Sequence, residues 1–362
     1  MHINRSAVLS QFDFQSLSLA EQKSSSIYYT LNRWYNSEVK NFNFVLTEGV
    51  DNLNPDKIRW QYFDNKYPYS CFYHAHVSGL SNTAFAWLRV ANQYMTDRIS
   101  WYWVKAPVMH YYEHTFTLEP RTELPVMPPD VLMNFANDVC TAVLLRDENA
   151  QSIYAQSQVE AQPAISTLAQ LRHDPPRYIY DRRRVRCLHP LLIAICQHDD
   201  AAIGEALAIA IRFAQNEAQR GPVHAHGWDE DDFQLDHTTP YSPGLPPLYH
   251  HALLAKYVHL PWLLVLERVF ANDAEGFNEA LAEALQAHHH HYAEAPNADG
   301  EDQIYVAEGW VSLLLSAACV LAEQRGLPRT VTSDYMPEWL IKGEFDTSHP
   351  PRLDDLMYSI PG

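Results

Sequence analysis

Apolar positions recur three and four residues apart along much of this chain, the spacing of a buried helical face. The clearest run is Val131, Phe135, Val139 and Val143, with Leu132, Ala136, Cys140 and Leu144 beside them, behind a Pro128-Pro129-Asp130 start. Its continuation, DENAQSIYAQSQVEAQ, is polar and reads either as a solvated end or as a second helix. Upstream, Leu19 to Tyr35 fits a helix, with Ser18 and Glu21 at capping-box spacing. Ser81-Asn82 can cap another that runs to about Lys105, carrying Phe85, Leu88, Ala91 and Met95 and ending before Pro107.

Downstream the segments follow closely. Leu188 to Gln197 is short and apolar, and Asp199-Asp200 can cap a helix through Leu207 and Ile211 to a Gly221-Pro222 stop. Pro246-Pro247 starts a helix through Leu253, Leu254 and Tyr257 that Pro261 must kink or interrupt. Asn272-Asp273 caps one with Phe277, Leu281 and Leu285 on a single stripe. The most apolar helix begins near Trp310 and stops at Arg325-Gly326, where Gly326 suits a left-handed conformation and Leu327 can fold back on the last turn. Ser333 or Asp334 can cap the short turn that Pro337 and Glu338 begin, and Trp339-Leu340 would pin the tail.

These elements imply an all-α chain, a multi-helix array of antiparallel helix pairs with minor extended segments in the N-terminal part. No exact repeat occurs at a fixed period, which argues against a solenoid. The stretch RHDPPRYIYDRRRVR, residues 172–186, reads as a linker. It separates an aromatic-rich N-terminal helical region, 1–175, from an Ala/Leu-rich C-terminal helical region, 176–362; one continuous domain is equally compatible with the pattern.

Composition narrows the function. With 12 Gly in 362 residues, a turn-dense β protein or a Gly-rich phosphate loop is disfavoured. The formal net charge of -18 disfavours nucleic acid and anionic lipid as partners and steers toward a basic one, although solubility alone accounts for acidity equally well. Five cysteines occur at irregular spacing without CxxC, and Cys140, Cys196 and Cys319, in apolar helical runs, read as buried hydrophobes in a reducing compartment. The N-terminus lacks an apolar core of signal-peptide length, and no stretch approaches the roughly 20 apolar residues of a membrane span. A cytoplasmic protein is expected.

Candidate chemistry is sparse. In His288 to His291, only residues three or four apart share a helical face, so His288, His291 and Glu294 are the metal-ligand candidates. The competing and stronger reading is a helix C-terminus, where imidazoles suit the macrodipole. His224, His226, His237, His250 and His251 lie near several aspartates without a metal motif of known strength. Trp228, Asp229, Glu230, Asp231, Asp232 and Asp236 form an acidic loop with an aromatic anchor, suited to a basic protein partner or simply solvated. Arg182, Arg183, Arg184 and Arg186 form a basic cluster best read as pairing with the surplus carboxylates. No Ser-His-Asp pattern, GxSxG elbow, Walker loop or GxGxxG appears, so no catalytic residue, cofactor or metal is assigned. A metal-dependent helical enzyme and a helical interaction scaffold are the alternatives to a partner-binding protein.

The segment HPLLIAICQHDDAAIGEAL, the helix ending in His288 to Tyr292, and above all the apolar helix closing on LAEQRGLPRTVTSDYMPEWL resemble the immunity protein 49 family of bacterial polymorphic toxin systems. The likeness covers about residues 185–345. It rests on an apolar helix, an Arg-Gly stop, a short extended piece and a Ser-x-Tyr-x-Pro-x-x-Leu-like element. The resemblance implies a protein that neutralises a cognate toxin by binding, occluding its active site rather than catalysing a reaction.

Overall fold

The computed structural model describes residues 1–3, 26–48, 66–104, 108–112, 114–117, 135–157, 176–219, 249–294 and 307–357. These are mainly α-helical, as the apolar periodicity implies. Helix α1 spans Ser26–Glu48, α2 Lys66–Val77 and α3 Ser81–Trp103. The first helix continues well past Tyr35, while its expected Ser18–Glu21 start lies outside the described residues. Between α2 and α3 the chain reverses at Gly79, whose φ of 73° requires a residue without Cβ strain. Leu80, not Ser81, is the N-cap of α3, and no side chain caps it. Its carbonyl instead receives the Ala84 N–H at 2.8 Å. After α3 comes an antiparallel hairpin, Val108–Tyr111 against His114–Thr117, which supplies extended structure in the N-terminal part.

Three later helix pairs share one corner. Helix α4 (Phe135–Leu145) leads to α5 (Glu148–Gln156), α6 (Pro176–Gln197) to α7 (Asp200–Ala218), and α9 (Leu260–Phe270) to α10 (Ala274–His289). At each junction a non-glycine residue takes a φ of 55° (Arg146, His198 and Asn272). An aspartate follows, whose N–H donates five residues back, to Ala142, Ala194 and Arg268 respectively, and thereby closes the first helix. The same aspartate's carboxylate caps the second helix: Asp147 accepts from Ala150 N–H, Asp199 from Ala202 and Asp273 from Gly276, all within 3.0 Å. One residue thus terminates one helix and starts the next. The polar DENAQ stretch after α4 is accordingly a second helix.

Two expectations change. Residues 176–186, read as part of a linker, are the first half of α6, which carries Pro190 inside it. Pro261 does not interrupt its helix. Helix α8 (Tyr249–Leu254) passes through a π-turn at Ala255–His259 into α9, with Leu260 N–H reaching back to Ala255. The wider turn accommodates a proline that lacks its own N–H and would crowd the preceding carbonyl in a regular helix.

Helix α11 (Leu313–Gln324) is capped by Ser312 and stops at Gly326, φ 72°. Gly326 N–H donates to Glu323 and Leu327 N–H to Ala322, and Leu327 is buried. The extended piece Thr332–Ser333 pairs in parallel with His2–Ile3. Ser333 serves this joint rather than a helix cap: its hydroxyl donates to the Ile3 carbonyl, and the short helix α12 (Glu338–Ile341) starts from Pro337 without a side-chain cap. Trp339 lies against Phe85 and Phe345, and Leu340 is fully buried.

One apolar core runs through all of this. Helix α4 packs on α11, so residues before 150 and after 310 share an interior that includes Trp87, Phe135, Trp262, Phe277 and Leu340. Each such side chain removed from water contributes about 1.5–3 kcal/mol. Cys71, Cys140, Cys196 and Cys319 are free and buried among them, and burial pushes the Cys319 thiol up to about 12.

Candidate functional site

The acidic loop expected to meet a partner, Trp228, Asp229, Glu230, Asp231, Asp232 and Asp236, lies outside the described residues, as do His224, His226 and His237. His250 and His251 lie on α8, and Arg182, Arg183, Arg184 and Arg186 on α6.

The histidine run closes α10 and enters a π-turn at His290–Glu294. Its rings diverge. His288 is buried and its Nε2 lies 3.0 Å from the Gly309 carbonyl, between the Tyr292 and Tyr335 rings. His289 Nδ1 lies 2.8 Å from the Tyr335 hydroxyl. His289 and His290 both face Glu294, at 3.4 and 3.0 Å, and these contacts, led by the His290 hydrogen bond, hold its carboxyl below the usual range. His291 is buried against Tyr257 and Tyr292. The proposed grouping of His288, His291 and Glu294 is therefore not assembled: Glu294 serves the other two rings. Among the described residues no group of three or more His, Cys, Asp or Glu side chains could hold a metal ion.

A second polar place was not foreseen. One face of α3 presents Arg89, Asn92, Gln93, Thr96 and Asp97 toward a cavity of about 390 Å³. The hairpin adds His110, the α4–α5 corner adds Arg146, Asp147 and Glu148, and Pro350-Pro351 close it from the C-terminal segment. Asp97 is 1% exposed. It accepts the His110 backbone N–H at 2.7 Å, and its other oxygen lies 3.1 Å from His110 Nδ1. Burial raises the Asp97 carboxyl to about 6 against the opposing pull of His110, and the bond to Asp97 raises the His110 imidazole. The pair anchors the hairpin to α3. Neighbouring buried acids are bound by phenols: Glu38 accepts from Tyr94 and Tyr112, and Asp138 from Tyr69. Among the described residues no cysteine or serine lines this cavity, whose walls mix donors such as Arg89 and Arg146 with the acids Asp97, Asp147 and Glu148.

The α8–α12 region, with its π-turn, diverging histidines, Ser312 cap, Gly326 stop and Ser333 joint, is where the chain meets known proteins. Residues 252–340 match the family model described as Immunity protein 49. Over these residues the chain is similar to the immunity protein 49 family. This region is narrower than the resemblance read from the sequence, and the HPLLIAICQHDDAAIGEAL segment falls outside it. It includes the histidine run and the helix closing at Gly326, whereas the Asp97–His110 cavity lies outside it. No curated protein and no solved structure matches the chain. Among the described residues no helix is long and apolar enough to cross a membrane.

Proposed function

We propose that this protein is a cytoplasmic immunity protein that binds a cognate bacterial toxin and neutralises it by covering the toxin's active site. The observation that carries the reading is the immunity protein 49 match over residues 252–340. A net charge of -18 supports a basic toxin as partner, because opposite charge accelerates encounter. In this reading Trp228 is an anchor, and Asp229, Glu230, Asp231, Asp232 and Asp236 steer the toxin toward it. Blocking is steric, so the protein needs no turnover chemistry, cofactor or nucleic acid.

The test is co-expression with the toxin-like protein encoded beside it. Growth should be restored, and the two proteins should co-elute on a sizing column. Continued toxicity with no complex would sink the reading. Changing Asp229, Glu230, Asp231 and Asp232 to Lys should slow association by about tenfold or more at low salt, with the folded helical signal unchanged. An unaltered association rate would place the contact elsewhere.

A further inference from the structure

We infer that one aromatic side chain of the bound protein partner seats in a small cavity where α2, α6, the start of α4, the π-turn Ala255–His259, the end of α10 and the start of α11 meet. That a protein supplies the ring rests on the toxin-binding reading; that the cavity takes a ring does not.

Size decides what can enter. The cavity measures about 120 Å³. Sites for whole small molecules run to roughly 300–1,000 Å³, whereas an apolar cavity of about 150 Å³ admits one benzene. This one is too small for a cofactor and suits a single ring. Its described walls match. Leu188, Leu254, Val258, Val311, Leu313 and Leu314 give aliphatic contact, and Tyr73, His288 and Tyr292 add rings. Ala136, Leu254, Val258 and Tyr292 are only partly buried, so the cavity is reached from solvent on the side of α4 and the π-turn. Glu308 is exposed and offers its negative charge to the positive edge of an entering ring.

The walls hold the space open. The Tyr292 ring centre lies 4.7 Å from that of His288 and 4.6 Å from that of His291, and a Cβ on Gly309 would meet its ring carbons at 2.4 Å. His288 Nε2 lies 3.0 Å from the Gly309 carbonyl, which cannot donate. Nε2 therefore carries the proton and ties the turn Ala307–Trp310 to the end of α10. The start of α11 is held separately: Ser312 N–H donates to the Tyr335 carbonyl at 2.8 Å, and the Ser312 hydroxyl caps the helix. Tyr292 and Leu313 cannot lean inward without losing these contacts. A pocket formed in advance accepts an anchoring aromatic without the cost of rearrangement. Most of the lining falls within residues 252–340, the stretch on which the binding reading rests.

The test is a titration of the full-length protein, ¹³C-labelled at Leu and Val methyls, with toluene. Saturable shifts are expected at the Val258 and Val311 methyls, with methylcyclohexane, which lacks the flat ring, about tenfold weaker. Ala136→Leu and Leu254→Phe each push carbon into the cavity from a partly buried position. Each should weaken the toluene response and the affinity for the co-expressed toxin about tenfold. Circular dichroism checks the fold, and if one variant unfolds the other decides. Absent shifts, an equal response to methylcyclohexane, or an unchanged response in a folded variant would overturn the ring site. Toluene binding lost in a variant that keeps full toxin affinity would overturn the partner's part in it. Growth protection alongside a silent titration would overturn the cavity assignment alone. A saturable titration without protection or complex would keep the ring site and sink the toxin reading.

Discussion

His189 should make this protein lose stability in mild acid. It sits on α6, 7% exposed, with its ring 4.9 Å from that of Phe135 and its Nε2 3.4 Å from Ser157 Oγ. Burial disfavours the imidazolium and lowers the pKa to about 4. Unfolding returns the ring to water and to about 6.5. Because the folded value is the lower one, the stabilisation is complete above pH 6.5 and is lost as pH falls through 4. Between pH 7 and 4.5 this one group should remove about 2 kcal/mol. His189→Gln keeps a polar side chain but cannot titrate. Urea unfolding of both proteins at the two pH values isolates the effect, since any constant packing cost of the substitution cancels in the difference. The variant should lose about 2 kcal/mol less than the wild type on acidification. Losses equal within about 0.5 kcal/mol, or a ring that titrates near 6.5 by NMR, would refute the reasoning.

Other outcomes follow from single features. Gly326→Ala should cost about 1–2 kcal/mol by thermal unfolding, because nothing lies within 4 Å of the added Cβ and only the φ of 72° opposes it; Gly326→Asn should cost less. Arg329 forms a two-pronged ion pair with Glu338 at 2.6 and 2.7 Å and also donates to Val331. Arg329→Met should therefore destabilise by about 1–2 kcal/mol, discounted because Glu338 is partly exposed, and should speed amide exchange at Thr332. Asp97 has a folded pKa above its unfolded one, so its contribution is present in acid and lost as pH rises through about 6. Asp97→Asn should flatten the stability profile over that interval; an unaltered profile would mean that the carboxyl titrates normally.

What was legible in the sequence was local. Phe277, Leu281 and Leu285 mark a buried stripe, and Asp199 and Asp273 announce helix starts, because periodicity and capping act within a few residues. Gly326 was legible for the same reason. The π-turn was not, since the sequence shows only that Pro261 is awkward and not which neighbouring turn will widen to admit it. The start of α6 was masked by its proline and arginine content. The Asp97–His110 cavity left no signal, because its residues come from α3, a short hairpin, a helix corner and a C-terminal segment that no spacing connects. The two-residue pairing of His2–Ile3 with Thr332–Ser333 was equally silent, as strands that short carry no alternation.

That joint ties synthesis to completion of the fold. His2 and Ile3 are synthesised more than 300 residues before Thr332 and Ser333, their partners. At roughly 5–20 residues per second the earlier strand waits about 20 to 60 seconds for its counterpart. The helix pairs with Asp corners make contacts within a few dozen residues and can assemble in the meantime. The joint is therefore a late latch, closing on helices already formed, and a chain that stalls before residue 332 would leave Met1 to Ile3 without their strand partner.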